Sequence, residues 1–326
     1  MGKVWRKLQL WIYIAVFLLF AVKSESVMAG AKDGVTLCLY TVIPALFPFL
    51  LIGSMVSSAA YGTEIAILRP LCGLCGIPMY AEGIFLVGIL GGYPAGAHAV
   101  AQSYRNGAVS HSEAKHLLRF CNNAGPAFIF GIIGSIVQNI PLTVFIWLIH
   151  ILSAIFTGYI FADKQINAKR LQKASATTFV KGLENTVLTM GKICGWVLLF
   201  RIVLFLLEEC LFNRLDIHLT TILSGMLELS NGCLQLAGAD QMTVYFIATP
   251  MLTFGGLCVW LQTASVIGAL PYGAFAKGKV LQCIISLLLC CLFSPLFFSV
   301  PVFLPILSGA ALLLLCICVK SSSFMK

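Results

Sequence analysis

The sequence predicts an all-α polytopic membrane protein of about eight transmembrane helices plus two re-entrant broken-helix segments, arranged as inverted repeats. Of its 326 residues, 60% are hydrophobic and 10% charged, against roughly 25% charged in a soluble domain, so a soluble fold could not hide the apolar surface. Apolar runs recur from end to end with no polar domain between them, which makes the bilayer the natural solvent for nearly the whole chain. The Lys and Arg residues behind the net charge of +9 sit in short segments between those runs. That is the positive-inside pattern and not the basic face of a nucleic-acid binder.

The first element, with Lys3, Arg6 and Lys7 ahead of an apolar stretch from Leu8 to Val22, has the parts of a signal peptide, and Ala29-Gly30-Ala31 could pass for a cleavage site. With so many spans following, residues 1–33 read as a retained helix and loop. Further spans are expected over Gly34–Ala60, Leu117–Gln138, Leu142–Ala162, Leu183–Leu207, Thr243–Leu270, Val280–Val300 and Val302–Val319. Two apolar segments differ. Gly83–Tyr104 contains Gly88, Gly91, Gly92, Pro94 and Gly96, while Ile217–Leu236 contains Gly225, Glu228, Asn231 and Gly232; Gly and Pro interrupt the helical ladder. Tyr61–Glu82, interrupted by Glu64, Arg69, Pro70 and Pro78, reads as an interfacial helix or as part of the first re-entrant hairpin.

Five basic segments should face the cytoplasm: the N-terminus, Arg105–Arg119, Lys164–Lys181, Lys277–Lys279 and the C-terminal Lys320 and Lys326. Counting spans from an inside N-terminus satisfies them all only if both broken segments enter and leave on one side. A membrane repeat over 34–162 and an inverted copy over 182–300 follow, joined by a cytoplasmic loop at 163–181 and closed by a helix and short tail at 301–326. Matching broken segments in oppositely oriented repeats are the architecture of secondary transporters, with the ligand near the midplane where the breaks meet.

The polar residues at the breaks are the candidate substrate site. Tyr93 offers a ring and a hydroxyl, Pro94 stops the helix, and the glycines around them allow close backbone approach. Asn122 and Asn123 precede Gly125-Pro126 and suit either a ligand or helix capping, since an amide both donates and accepts. Glu228, Ser230 and Asn231 occupy the second break, with Gln262 and Thr263 on the next span. Lys192, ten residues beyond Gly182, should lie near the centre of its span, where a charge is expensive and needs a cavity, a counter-charge such as Glu228, or an anionic substrate. Arg201 should snorkel to the outer interface. His98 in the first break could titrate near neutral pH, and His150 and His218 show no recognisable partner. Cys72 and Cys75 form a lone CxxC without a second pair, so neither a metal nor another cofactor is expected. No nucleotide-binding or hydrolase motif is present, and no nucleophile stands beside a base, so neither a nucleotide-driven pump nor an enzyme is expected.

The GGYPAG at Gly91–Gly96, the SHSEAKHLLRFCNNAGPAFIFG at Ser110–Gly131, the LELSNG at Leu227–Gly232 and the GGLCVWLQTASV at Gly255–Val266 resemble the YlbJ-type sporulation integral membrane proteins of the Gate, or nucleoside recognition, group. The likeness runs over nearly the whole chain after the first helix. It implies a multi-pass membrane protein of a sporulating cell, located in a forespore membrane, that moves dipicolinic acid, a small aromatic dianion. Related Gate domains occur in nucleoside and ferrous-iron transporters, so the likeness supports transport more strongly than any one solute. The expectation is a carrier with a small anionic solute and the lipid bilayer as partners and no nucleic acid, the coupling ion and oligomeric state being open. Lys192→Met should then abolish accumulation. A nucleoside carrier and a scaffold for sporulation proteins are the rival expectations, the scaffold lacking any long soluble segment beyond Asp163–Lys181.

Overall fold

The computed structural model describes residues 2–59, 65–162, 178–212 and 215–324, and every described regular element is helical. Five helices are long and apolar enough to cross a membrane, or six if one bent pair counts as a single span. The chain is therefore a helical protein suited to a multi-pass membrane setting, with fewer uninterrupted spans than the hydropathy pattern predicts.

The differences have local causes. Helix α1 (Gly2–Val22) leads into α2 (Ser24–Leu37), a π turn at Cys38–Val42 and α3 (Ile43–Ala59). The stretch bends by 54° between Ser24–Val42 and Leu46–Gly53, where the π turn and Pro44 and Pro48 disturb the ladder. Gly34 thus lies inside α2 and does not open a span, and the suggested cleavage site Ala29-Gly30-Ala31 is a packed helical turn. A β-carbon on Gly30 would stand 2.9 Å from the Cα of Ile202, so the glycine lets α2 press against α11 (Phe179–Cys210). Trp5 and Trp11 are exposed on α1, as expected of side chains that meet lipid.

After a short α4 (Arg69–Leu74) and a 3-10 turn at Met79–Ala81, helix α5 (Glu82–Leu90) runs to a break at Gly91–Pro94, and α6 (Ala95–Arg105) returns against it. Of the interrupted stretch 61–82, positions 61–64 lie outside the described residues; in the rest, Glu82 is buried and accepts from Arg69 at 2.9 Å and from the Ile65 N–H at 2.7 Å. The predicted span Leu117–Gln138 is not one helix. Helix α7 (His111–Leu117) ends, residues 121–125 run without helix, and α8 (Pro126–Phe128), a π turn at Ile129–Ile133 and α9 (Gly134–Val137) follow. Ser110 and Glu113 form a full capping box at the start of α7. Ser110→Ala should lower stability by about 1 kcal/mol, read as a small fall in melting temperature in detergent.

Helix α10 (Ile140–Ile160) spans without interruption. The expected loop at 163–181 lies outside the described residues up to 177, and its last residues already belong to α11, which begins at Phe179. At 32 residues and about 1.5 Å per residue, α11 exceeds the roughly 30 Å hydrocarbon core. Helix α12 (Ile217–Leu227) breaks at Glu228 and α13 (Leu229–Leu234) folds back on it. Helices α14 (Gln241–Phe254) and α15 (Gly256–Ile267) form one span interrupted at Gly255. Helix α16 (Tyr272–Phe293) starts earlier than predicted, so Lys277 and Lys279 belong to a span and not to an exposed basic loop, and α17 (Phe303–Phe324) closes the chain. Helix α16 packs on α10, α14 and α17.

Candidate functional site

Both hairpins are closed by glycine against glycine. A β-carbon on Gly96 would lie 2.9 Å from the Gly88 Cα and 1.8 Å from the Cys121 carbonyl oxygen, and one on Gly232 would lie 2.3 Å from the Gly225 Cα. Each break also touches the interruption of the helix that follows it. Gly125 would meet the Gly92 nitrogen at 2.8 Å, and Gly256 would meet the Gly225 carbonyl at 2.7 Å.

Broken helices inside a membrane strand backbone N–H and C=O groups that the protein must satisfy, and the polar residues singled out from the sequence do this work. The Glu228 carboxylate accepts from the Ser230 and Asn231 N–H groups at 3.0 and 2.8 Å, capping α13. Asn122 accepts from the Ala97 N–H in the first turn of α6 at 3.3 Å and donates to Thr263 Oγ1 at 3.0 Å. Asn123 donates to the Gly88 and Phe120 carbonyls at 3.1 and 2.8 Å. Tyr93 Oη donates to the Leu252 carbonyl at 2.9 Å and lies 3.3 Å from that of Thr253; the helical partners of both carbonyls would stand at or beyond the break at Gly255.

Between the two breaks lies a cleft. Its polar wall is Tyr93, Glu228, Ser230 and Gln262, and its apolar wall comes from the α2–α3 bend, from Phe128, and from Ile193 and Val197 on one face of α11. Four predicted site residues therefore meet in one place. Pro94, joined to Tyr93 by a cis peptide bond, and Asn122 and Asn123 are buried and do not line the cleft. Asn231, also outside the lining, accepts from Arg201 Nη1 at 2.6 Å.

Lys192 is exposed, does not line the cleft although its neighbour Ile193 does, and forms no ion pair with Glu228. On a helix adjacent residues point about 100° apart, so Ile193 faces inward and Lys192 does not. Arg201 does not snorkel: it is buried, and its guanidinium pairs with Asp33 at 3.1 Å as well as with Asn231, tying α2, α11 and α13 together. His150, which showed no partner in the sequence, accepts from the Ala124 N–H at 3.0 Å. Cys72 and Cys75 are buried free thiols, and no group of three metal-binding side chains occurs among the described residues.

The group that sequence reasoning missed is Lys279. It is wholly buried and donates to Tyr93 Oη at 3.0 Å and to Gln282 Oε1 at 2.8 Å, with its ammonium 4.8 Å from the Tyr93 ring centre. Gln282 in turn donates to Asn123 Oδ1 at 2.8 Å, and Ser286 meets Thr253 Oγ1 at 2.7 Å. A signal was available: Lys279, Gln282 and Ser286 recur at i, i+3 and i+7, a polar stripe on an otherwise apolar span. Comparison with protein-family models, curated proteins and solved structures returns no match.

Proposed function

We propose that this chain is a secondary transporter or facilitator of a small aromatic solute, with dipicolinate, the solute suggested by the YlbJ-type resemblance, as first candidate. The observation that carries the reading is the cleft at which the breaks of both hairpins meet, walled by the Tyr93 ring and rimmed by Ser230 and Gln262. Irregular backbone at membrane depth is tolerated where it lines a cavity or is buried in protein, and carriers place their ligands at such junctions.

The order of elements supports two repeats, and the positive-inside pattern of the sequence is the argument for their inversion. A long helical stretch (bent by 54° in the first copy), a broken hairpin closed by a glycine pair, an interrupted helix and an unbroken helix occur from Ser24 to Ile160 and again from Phe179 to Phe293. Both termini in the cytoplasm and a forespore membrane complete the proposal. For a dianion, the positive charge behind the cleft wall is Lys279, bonded to Tyr93, and not Lys192. Glu228 on the same wall favours a second reading, a neutral solute rich in hydroxyls such as a nucleoside.

Uptake of labelled dipicolinate and uridine into liposomes carrying the purified protein decides between them. Dipicolinate flux that falls at least tenfold in Gln262→Leu and persists in Lys192→Met is expected. Uridine flux alone moves the assignment to nucleosides, and no flux of either favours a scaffold.

A further inference from the structure

An interrupted membrane helix leaves carbonyl oxygens at the end of its first half, and carriers built from such helices use those carbonyl ends to hold a coupling cation. Helix α14 ends this way at Gly255, whose φ is 82°. The freed Leu252 carbonyl receives the Tyr93 hydroxyl at 2.9 Å, and Lys279 Nζ donates to that same hydroxyl at 3.0 Å. The negative end of the α14 dipole thus reaches the ammonium through one hydroxyl group. Gln282 Oε1, 2.8 Å from Nζ, adds a second neutral oxygen. Lys279 is wholly buried and forms no ion pair among the described residues. A full positive charge in such a place, surrounded by oxygen dipoles and lacking a carboxylate, is costly unless those dipoles need a cation.

We propose that the Lys279 ammonium is a tethered monovalent cation occupying the position at the carbonyl end of α14 that would otherwise take Na⁺ or K⁺ from solution. The bonded lysine links the first hairpin, through Tyr93, to α14 and α16. Transport by this chain then requires neither Na⁺ nor K⁺ at this position. That consequence rests on the carrier reading, whereas the site itself does not.

The test is thermal unfolding of the purified full chain in detergent, at fixed ionic strength, in chloride salts of choline, methylammonium or sodium at about 100 mM, since a ligand that binds only the folded state raises its melting temperature. The wild type should melt at the same temperature in all three. Lys279→Ala should melt lower in choline and recover by about 3 °C or more in methylammonium, while Lys279→Met, whose side chain fills the space without charge, should be destabilised and not recover. Stabilisation of the wild type by sodium over choline would overturn the proposal, as would Lys279→Ala responding to no cation. If Lys279→Ala cannot be purified in choline, its recovery by purification in methylammonium supports the proposal. Lys279→Met as stable as the wild type overturns it, because the carbonyl end would then need no cation. None of these readings depends on flux, so a failure of the transport assignment leaves them interpretable.

Discussion

Gly96→Ala is expected to destabilise the protein by about 4 kcal/mol or more, enough to remove most folded material from a detergent extract. The added β-carbon would stand 1.8 Å from the Cys121 carbonyl and 2.9 Å from the Gly88 Cα. Both obstacles are backbone, so no rotamer change relieves the clash. The hairpin would have to open, carrying the Gly91–Pro94 break away from Gly125 and exposing polar backbone. Gly191→Ala is the matched control. It also lies in a helix, has nothing within 4 Å of the new methyl group, and should gain up to about 1 kcal/mol from helix propensity. Melting temperature and monodispersity by size exclusion read both variants; a Gly96→Ala protein within about 1 kcal/mol of wild type would mean the hairpin arms are not held this closely.

Glu228→Leu should cost about 2–4 kcal/mol, because it removes the N-cap side chain of α13 and the acceptor of the buried Ser230 and Asn231 N–H groups. Glu228→Gln keeps one accepting oxygen and should cost about half as much. The pair also separates two roles of the residue. If Glu228 acts only as a cap, flux per folded molecule in Glu228→Gln equals that of wild type. If its charge also selects solute, removing it shifts preference toward the dianion, read as a higher ratio of dipicolinate to uridine uptake.

Much of the site was legible because breaks in membrane helices are written in residue type. Gly91-Gly92-Tyr93-Pro94 and the polar run at Glu228 announce interruptions, and the cleft lies between them. What the polar side chains do there was less legible. Asn122 and Asn123 fit ligand binding and capping equally from sequence, and only the positions of the Ala97 N–H and the Gly88 carbonyl show them capping. Lys192 and Lys279 reversed their expected places for one reason. Hydropathy reports depth along a span, while the direction of a side chain around the helix depends on which neighbours pack against each face.

Composition and hydropathy by themselves determined an all-helical chain suited to a membrane, since 60% hydrophobic residues leave no other way to hide the apolar surface. They also determined the breaks at Gly91–Pro94 and at Glu228, because Gly and Pro act locally on the backbone ladder, whereas the interruptions at 38–48, 121–125 and Gly255 fell within spans expected to be continuous. The tertiary structure alone decided which breaks touch, through glycine contacts between segments distant in sequence. It alone decided that Arg201 turns inward to Asp33 and Asn231. And it alone decided that a lysine from an apparent surface segment is buried beside Tyr93, because an ammonium inside a membrane protein is positioned by the oxygen atoms it donates to, here Tyr93 Oη at the first break and Gln282 Oε1 on α16.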